Sequence, residues 1–342
     1  MDRKTSVIGI TGGPGGGKTT GMSRITQKLG DYGYRVLTVP EVATLFIANG
    51  VPAPEFSPEQ IFEMERIFLE TQLFLEDEFL HQAENIGNSK ILIVCDRGAL
   101  DVRAYMDEPQ FNRLLDARGL SKVSLWRRYD GVFHLVTAAN GAEAFYTLDN
   151  NKARRESPEE ARALDSKTQN AWLGHPHLKV IDNSTDFDGK MRRLIQSICR
   201  VVGIPVPLEI ERKFLLGSEP DQRRFPPYEV VVIEQAYLLR DERGIRPRIR
   251  KRGQDGSWSC FETKKTGTEV PGKRVEIERI ISLREYDQLM AKRDLSRRVI
   301  RKRRICFLWK GQYFELDFFE EPNHPPIFEI ELTEENDCVE LP

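Results

Sequence analysis

Two rhythms of hydrophobic and polar positions divide the chain. In the first half, short apolar runs alternate with stretches whose apolar residues recur every three or four positions. The runs are VIGI at 7–10, RVLTVPE at 35–41, KILIVCD at 90–96, GVFHLVT at 131–137 and LKVIDN at 178–183. Runs this short, bounded by turn residues, predict buried strands. Between the first two, Met22, Ile25 and Leu29 stand at helical spacing. Ser57-Pro58-Glu59-Gln60 has the form of a capping box with proline at the first helical position, and opens a helix to about Leu80. FDGKMRRLIQSICRVVG, at 187–203, is a closing amphipathic helix ended by Gly203. Strands alternating with helices imply an α/β, doubly wound, mostly parallel sheet with ligands at the carboxyl ends of its strands.

From residue 208 the period changes to two. In PLEIERKFLLG, Glu209, Glu211 and Lys213 would share one face of a strand. RPRIRKR, SCFETKKTG, KRVEIERII, VIRKRRICFLW, YFELDFF and FEIEL follow with the same alternation, and Ser282-x-x-Glu285 caps one helix running to about Lys292. Polar-out alternation is the ordinary habit of a one-sided sheet. It gives no reason for Glu-x-Glu to return at 209/211, 276/278 and 329/331, interleaved with Arg-x-Arg and Lys-x-Arg. A closed antiparallel barrel whose charged residues line a water-filled tunnel explains the pattern. IPVP at 204–207 cannot continue a helix and is read as the connector, so the expected domains are 1–203 and 208–342.

The first half carries a phosphate-binding signature. Gly12-x-x-x-x-Gly17-Lys18-Thr19 lies between the first strand and the first helix, as a P-loop does. Backbone N–H groups of Gly12, Gly13, Gly15, Gly16 and Gly17, with Thr20 in the first helical turn, would curl around phosphate oxygens. Lys18 would reach the β- and γ-phosphates, and Thr19 would offer its hydroxyl to Mg2+. Asp96, at the end of an apolar strand, stands at a Walker B position to hold Mg2+ or its water. Arg154 and Arg155, in a polar segment between the last two strands, are candidates for an arginine lid, a solvated helix face being the alternative. Glu41 and Asp96-Arg97-Gly98 resemble the acceptor-side motifs of nucleoside and nucleotide kinases. Glu41 or Asp96 would accept a hydroxyl proton there, unless Glu41 only orients the ligand. No NKxD motif is present, which disfavours a Ras-type GTPase. Asn183, with Ser184 and Thr185, follows the last strand where such a fold meets the base, and these residues suit either purine, leaving GTP and ATP both open.

Composition narrows the setting. The 342 residues suffice for two domains, with 39% hydrophobic and 30% charged content and a net charge of −2. No apolar run approaches the roughly 18 residues of a membrane helix. The opening MDRKTSVIGI lacks a secretory signal's apolar core, and five scattered cysteines form no CxxC pair, so reduced thiols in the cytoplasm are expected. Nucleic acid is not an expected partner, because the basic runs alternate with acidic partner strands. His175 and His177 have no further metal-ligand neighbours and read as a surface loop.

The charged half resembles the CYTH, or triphosphate tunnel metalloenzyme, superfamily. The resemblance rests on Glu209-x-Glu211-x-Lys213, Arg248-x-Arg250, Lys264 or Lys265, Arg274-x-Glu276-x-Glu278, Lys302-x-Arg304, Asp317 and Glu329-x-Glu331. It implies that Glu209, Glu211, Glu276, Glu278, Asp317, Glu329 and Glu331 hold Mg2+ or Mn2+, while Lys213, Arg248, Arg250, Lys264 or Lys265, Arg274, Lys302 and Arg304 grip a polyphosphate. Lys213 is the implied activator of water. Lys302/Arg304 matches the superfamily's Lys-x-Arg spacing better than Arg301/Arg303. The fusion of a NadR-like AAA P-loop domain to a CYTH-like domain resembles the TRPL translocation defect protein 14 family, through VPEVAT, DRG, SLREYDQLM and KRRICFLWKGQYFELDFF. That resemblance implies binding of guanine nucleotide and of an anionic phospholipid headgroup, intracellular trafficking, and a peripheral membrane contact. Two functions are therefore expected to compete. One is a nucleotide-regulated binding protein; the other is a bifunctional enzyme, a small-molecule kinase joined to a metal-dependent triphosphatase.

Overall fold

The computed structural model describes residues 5–52, 55–87, 90–146, 157–204, 210–241, 244–267, 274–332 and 338–342. The chain divides into two compact units, Met1–Ser121 with Arg128–Val202, and Lys122–Arg127 with Gly203–Pro342.

In the first unit, β1 (Thr5–Thr11), β2 (Tyr34–Val39), β3 (Lys90–Asp96), β4 (Gly131–Leu135) and β5 (Leu178–Ile181) form a parallel sheet in the order β2-β3-β1-β4-β5. Residues 91–95 of β3 are wholly buried, as expected of a parallel strand covered on both faces. β1 is central: the chain first builds the β2 and β3 side, then crosses to β4 and β5. Thr11, Asp96 and Leu135 thus end at the carboxyl edge around the point where strand order reverses, where such sheets bind ligands.

The helices of this unit are α1 (Lys18–Asp31), α2 (Val42–Ile47), α3 (Pro58–Ile86), α4 (Glu108–Asp116), α6 (Pro158–Ala171) and α7 (Phe187–Val201), with α5 (Lys122–Trp126) grouped with the second unit. The Ser57 capping box is present, and α3 runs past Leu80 to Gly87, whose φ of 81° suits glycine. His175 is not in a surface loop. It is fully buried, its Nε2 3.1 Å from the Tyr129 carbonyl, and its Nδ1 accepts from the His177 backbone.

The second unit is an antiparallel sheet of β6 (Ile210–Leu215), β7 (Tyr228–Tyr237), β8 (Arg248–Gln254), β9 (Ser257–Gly267), β10 (Arg274–Ile281), β11 (Ile300–Trp309), β12 (Gln312–Glu321) and β13 (Ile327–Leu332), with α8 (Leu283–Ala291). Strand order is β10-β9-β8-β7-β11-β12-β13-β6. Among the described residues no ladder joins β10 to β6, so these strands form a sheet and its closure into a barrel is not seen. Register settles its two faces. Ile305 opposite Leu316 and Phe307 opposite Phe314 build an apolar layer with Phe328, whose ring stacks 4.7 Å from Phe314. Arg304 opposite Asp317, and Glu329 opposite both Glu315 and Lys213, lie on the other face. Among the described residues, no helix is long and apolar enough to cross a membrane.

Candidate functional sites

The loop after β1 is shaped by close approach. Gly12, Gly15 and Gly17 have φ of 142°, 74° and 89°. A Cβ on Gly16 would lie 2.5 Å from the Leu135 carbonyl oxygen, and one on Gly13 would lie 2.8 Å from Asp165 Oδ1. Gly17 caps α1 with no side-chain bond, leaving the helix N-terminus to a ligand. Lys18 Nζ turns onto the loop itself, donating to Gly12 O at 2.9 Å and Gly13 O at 3.3 Å. Burial, and then the Arg97 guanidinium, push this ammonium down to about 8, against the pull of Glu41 and Asp96. Phosphate oxygens in the loop would reverse that penalty. Thr19 and Thr20 are exposed in the first turn of α1.

Asp165, on α6, was not singled out from the sequence, yet it braces the loop. Its Oδ1 accepts from Gly13 N at 2.8 Å and Thr137 N at 3.2 Å, and stands 3.1 Å from His134 Nε2. A histidine inside the apolar run GVFHLVT was the visible signal; a lone aspartate on a helix was none.

Beside the loop lies a buried charged group. Asp96 Oδ1 is buried without a hydrogen bond, and burial raises its carboxyl despite Lys18. An orphaned carboxylate oxygen at the end of β3 has the chemistry to accept a divalent cation. Arg97, held at φ 69°, donates to Glu41 Oε1 at 2.5 Å and Asp101 Oδ2 at 3.3 Å. Burial would raise Glu41, but Arg97 and Lys18 outweigh it and hold the carboxyl at about 2. Asp101 also accepts from Thr11 Oγ1 and, at 2.5 Å, from Trp172 Nε1. Glu65 of α3 completes the group, its carboxyl pushed up to about 8 by burial, which outweighs Arg97. Neither Asp101 nor Glu65 was anticipated.

Asn183 is drawn into its own surroundings. Its amide donates to Thr137 O and Asn140 O, and its oxygen accepts from Lys190 Nζ at 2.8 Å. Arg154 and Arg155 lie outside the described residues.

On the charged face of the second unit, Arg304 is the hub. It donates to Asp317 from Nε at 2.6 Å and Nη2 at 2.7 Å, to Glu329 at 3.0 Å, and to Glu315. Lys302 also binds Asp317, and Lys213 bridges Glu329 at 3.0 Å and Glu211 at 3.1 Å. Burial would raise Asp317, but Arg304 and Lys302 hold it well below the carboxylate range. Burial and Arg304 push Lys302 down to about 8, whereas Glu329 and Glu211 overcome burial and raise Lys213. Arg301 instead pairs with Glu234 and Glu321, and Arg303 stacks 4.9 Å from the Phe318 ring.

A second group joins Arg250 to Glu278 at 3.0 Å, with Thr263 Oγ1 donating to Glu278 and Arg248 reaching Thr263. Lys264 lies 3.7 Å from Glu262, on the other side of the strand from Thr263. Lys265 is in register with Glu276. Glu209 lies outside the described residues, as do the side chains of Lys265, Arg274, Glu276 and Glu331.

Glu211, Glu278, Asp317 and Glu329 each face a base, because opposite charges brought onto one face pair with each other. Among the described residues no three His, Cys, Asp or Glu side chains converge to hold a metal.

Residues 7–190, more than half of the chain, match the family described as AAA domain. No curated protein matches the sequence. Among solved structures, the inorganic triphosphatase NE1496 is 30% identical over 37% of this chain and 75% of its own, with a TM-score of 0.27. The PH1819 protein from Pyrococcus horikoshii OT3 is 24% identical over 37% of this chain and 80% of its own, with a TM-score of 0.30.

Proposed function

Because this chain belongs to the AAA domain family through residues 7–190, we propose that it binds a nucleoside triphosphate with Mg2+ on the loop of its first unit and a polyanion on the charged face of its second. One observation carries the nucleotide reading. Lys18 lies 2.9 Å from Gly12 O, where a γ- or β-phosphate oxygen would take over its hydrogen bonds. Mg2+, held by Thr19 and Asp96, would neutralise charge on the phosphates. The loop amides that remain free to donate and Lys18 would orient the phosphate chain, while Asp165, which takes the Gly13 N–H for itself, braces the loop from behind.

A second reading, phosphoryl transfer to a small hydroxylated acceptor, is favoured by the buried group around Arg97. Of the two carboxylates proposed to take the acceptor's proton, Glu41, held at about 2, is a weak base locked to Arg97 and Thr44, and Asp96 serves as base only where it is not engaged by Mg2+. In the second unit, Lys213 stays an ammonium between two carboxylates and serves as a phosphate contact more readily than as a base. The polyanion is a condensed phosphate or an anionic phospholipid headgroup, which share the same recognition chemistry. The resemblance to the TRPL translocation defect protein 14 family supports a nucleotide-regulated role in trafficking or signalling.

Calorimetric titration with ATP, GTP and tripolyphosphate, in Mg2+, tests the proposal together with phosphate release in the same samples. Nucleotide binding lost in Lys18→Ala, and tripolyphosphate binding lost in Lys302→Ala, are expected. Turnover makes the protein an enzyme at the site concerned. Binding without turnover, with flotation on acidic vesicles that Lys302→Ala abolishes, makes it a regulated adaptor. No binding of any nucleotide would overturn the reading of the first unit.

A further inference from the structure

Phe187 opens α7 and is 46% exposed, although it is one of the larger apolar residues of the unit. Its ring lies against the phosphate loop: a Cβ on Gly17, the residue before Lys18, would sit 2.9 Å from Phe187 Cε2 and 3.4 Å from Cζ. A flat apolar surface, open to solvent at the rim of a polyanion site, suits the flat apolar part of the same ligand.

The polar side chains of the adjoining residues 182–186 are drawn into bonds with their own surroundings. Asp182 Oδ1 accepts from Ser184 N, Ser184 Oγ and Arg193 Nη1. Asn183 is engaged at both amide atoms by Thr137, Asn140 and Lys190. Thr185 Oγ1 donates to Asp186 O and accepts from Arg193 Nη2, and Asp186 Oδ1 caps α7 through Gly189 N at 2.7 Å. Every polar side chain of this loop thus makes at least one hydrogen bond within the loop, to α7 or to the turn after β4.

We propose that Phe187 is the platform on which the nucleobase stacks, and that the site holds its base by this ring and not by side-chain hydrogen bonds. The inference rests on nucleotide binding at the P-loop, and it makes the site tolerant of either purine. Stacking accepts any π-face. A site built to hydrogen-bond a particular group rejects analogues lacking it by about 10⁴-fold or more.

The test is calorimetry on the full chain with Mg-ATP and Mg-GTP, using wild type, Phe187→Ala, Phe187→Trp and, to assign heat to the loop, Lys18→Ala. Wild-type affinities for ATP and GTP are expected within about tenfold of each other, since stacking carries little base information. Phe187→Ala should weaken both by about tenfold or more, the loss of one stacking contact. Phe187→Trp should restore both, and the melting temperature without ligand should not move. Three results overturn the proposal: Lys18-dependent binding that Phe187→Ala leaves within about threefold of wild type, a preference for one purine beyond about tenfold, or failure of Phe187→Trp to restore what Phe187→Ala loses. If wild type binds neither nucleotide, the P-loop reading falls too, and that outcome is distinct from the other three.

Discussion

Truncating Asp165 should release the phosphate loop from the helix behind it. Asp165 Oδ1 accepts two backbone N–H groups, Gly13 at 2.8 Å and Thr137 at 3.2 Å, and sits 3.1 Å from His134 Nε2. Asp165, Thr137 and His134 are all buried, so water cannot replace the lost carboxylate without entering the core. An unsatisfied buried donor costs about 1–3 kcal/mol, so the two amides together put Asp165→Ala at about 4 kcal/mol. For a unit of this size that is a fall in melting temperature of roughly 8–16 °C. Asp165→Asn keeps an acceptor oxygen but gives up the charge, which roughly halves the strength of such bonds, so about 2 kcal/mol is expected. Burial would raise the Asp165 carboxyl, but His134 and the two amides outweigh it and hold it below its ordinary value. Its contribution is therefore present at neutral pH and lost as pH falls through the folded-state value, a slope that Asp165→Ala should lack. Denaturant unfolding and Mg-ATP titration of the same samples measure both effects. If Asp165→Ala matched wild type in stability and in nucleotide affinity, the loop would be self-supporting and the argument wrong.

Three further changes test other parts of the structure. Glu65, at about 8 in the folded protein against an ordinary 4.5, contributes stability that is full below about 4.5 and gone above about 8; Glu65→Gln should flatten the pH dependence of unfolding across that window. Asp317→Asn leaves Lys302 and Arg304 buried beside a neutral amide, which should destabilise the second unit by about 3–5 kcal/mol in denaturant titration. Gly16→Ala forces a methyl group to within 2.5 Å of the Leu135 carbonyl oxygen, so the loop must move and calorimetry should show nucleotide heat reduced or abolished.

The fold was legible where one physical cause dominates. β3 reads as a strand because burial on both faces excludes polar residues from 91–95, and α3 reads as a helix because Ser57 and Gln60 satisfy its first amides. The grouping of α5 with the second unit was not legible. Lys122 meets Glu229 across a separation of 107 residues, and local pattern carries no trace of so distant a partner. The pattern of the phosphate loop was read from spacing because its glycines and its lysine lie within a few residues of one another, Lys18 bonding back to Gly12 O and Gly13 O. Asp165 and Asp101 were missed for the opposite reason: they reach Gly13 and Thr11 across 152 and 90 residues. In the second unit, period two assigned Arg304, Asp317 and Glu329 to a common face. It could not say that they would touch, since neighbours across strands depend on register.

That interleaving has a consequence for ligand binding on the charged face. Arg304 and Lys302 already hold Asp317, and Arg304 holds Glu315 and Glu329 as well. A polyanion that takes these cations must strip the carboxylates of their partners. Asp317 is fully buried, and an uncompensated buried charge costs several kcal/mol. A bare polyanion would add its own charge to that loss, whereas one arriving with divalent cations can compensate the displaced carboxylates. Tripolyphosphate binding to this face should therefore depend on Mg2+ or Mn2+. Titration of the Lys18→Ala variant, which removes the contribution of the P-loop, should show affinity falling by about a hundredfold or more when EDTA replaces the metal, the equivalent of about 3 kcal/mol. Equal affinity in EDTA would mean that the carboxylates find other partners or never let go, and that the bases of this face bind the anion without cations.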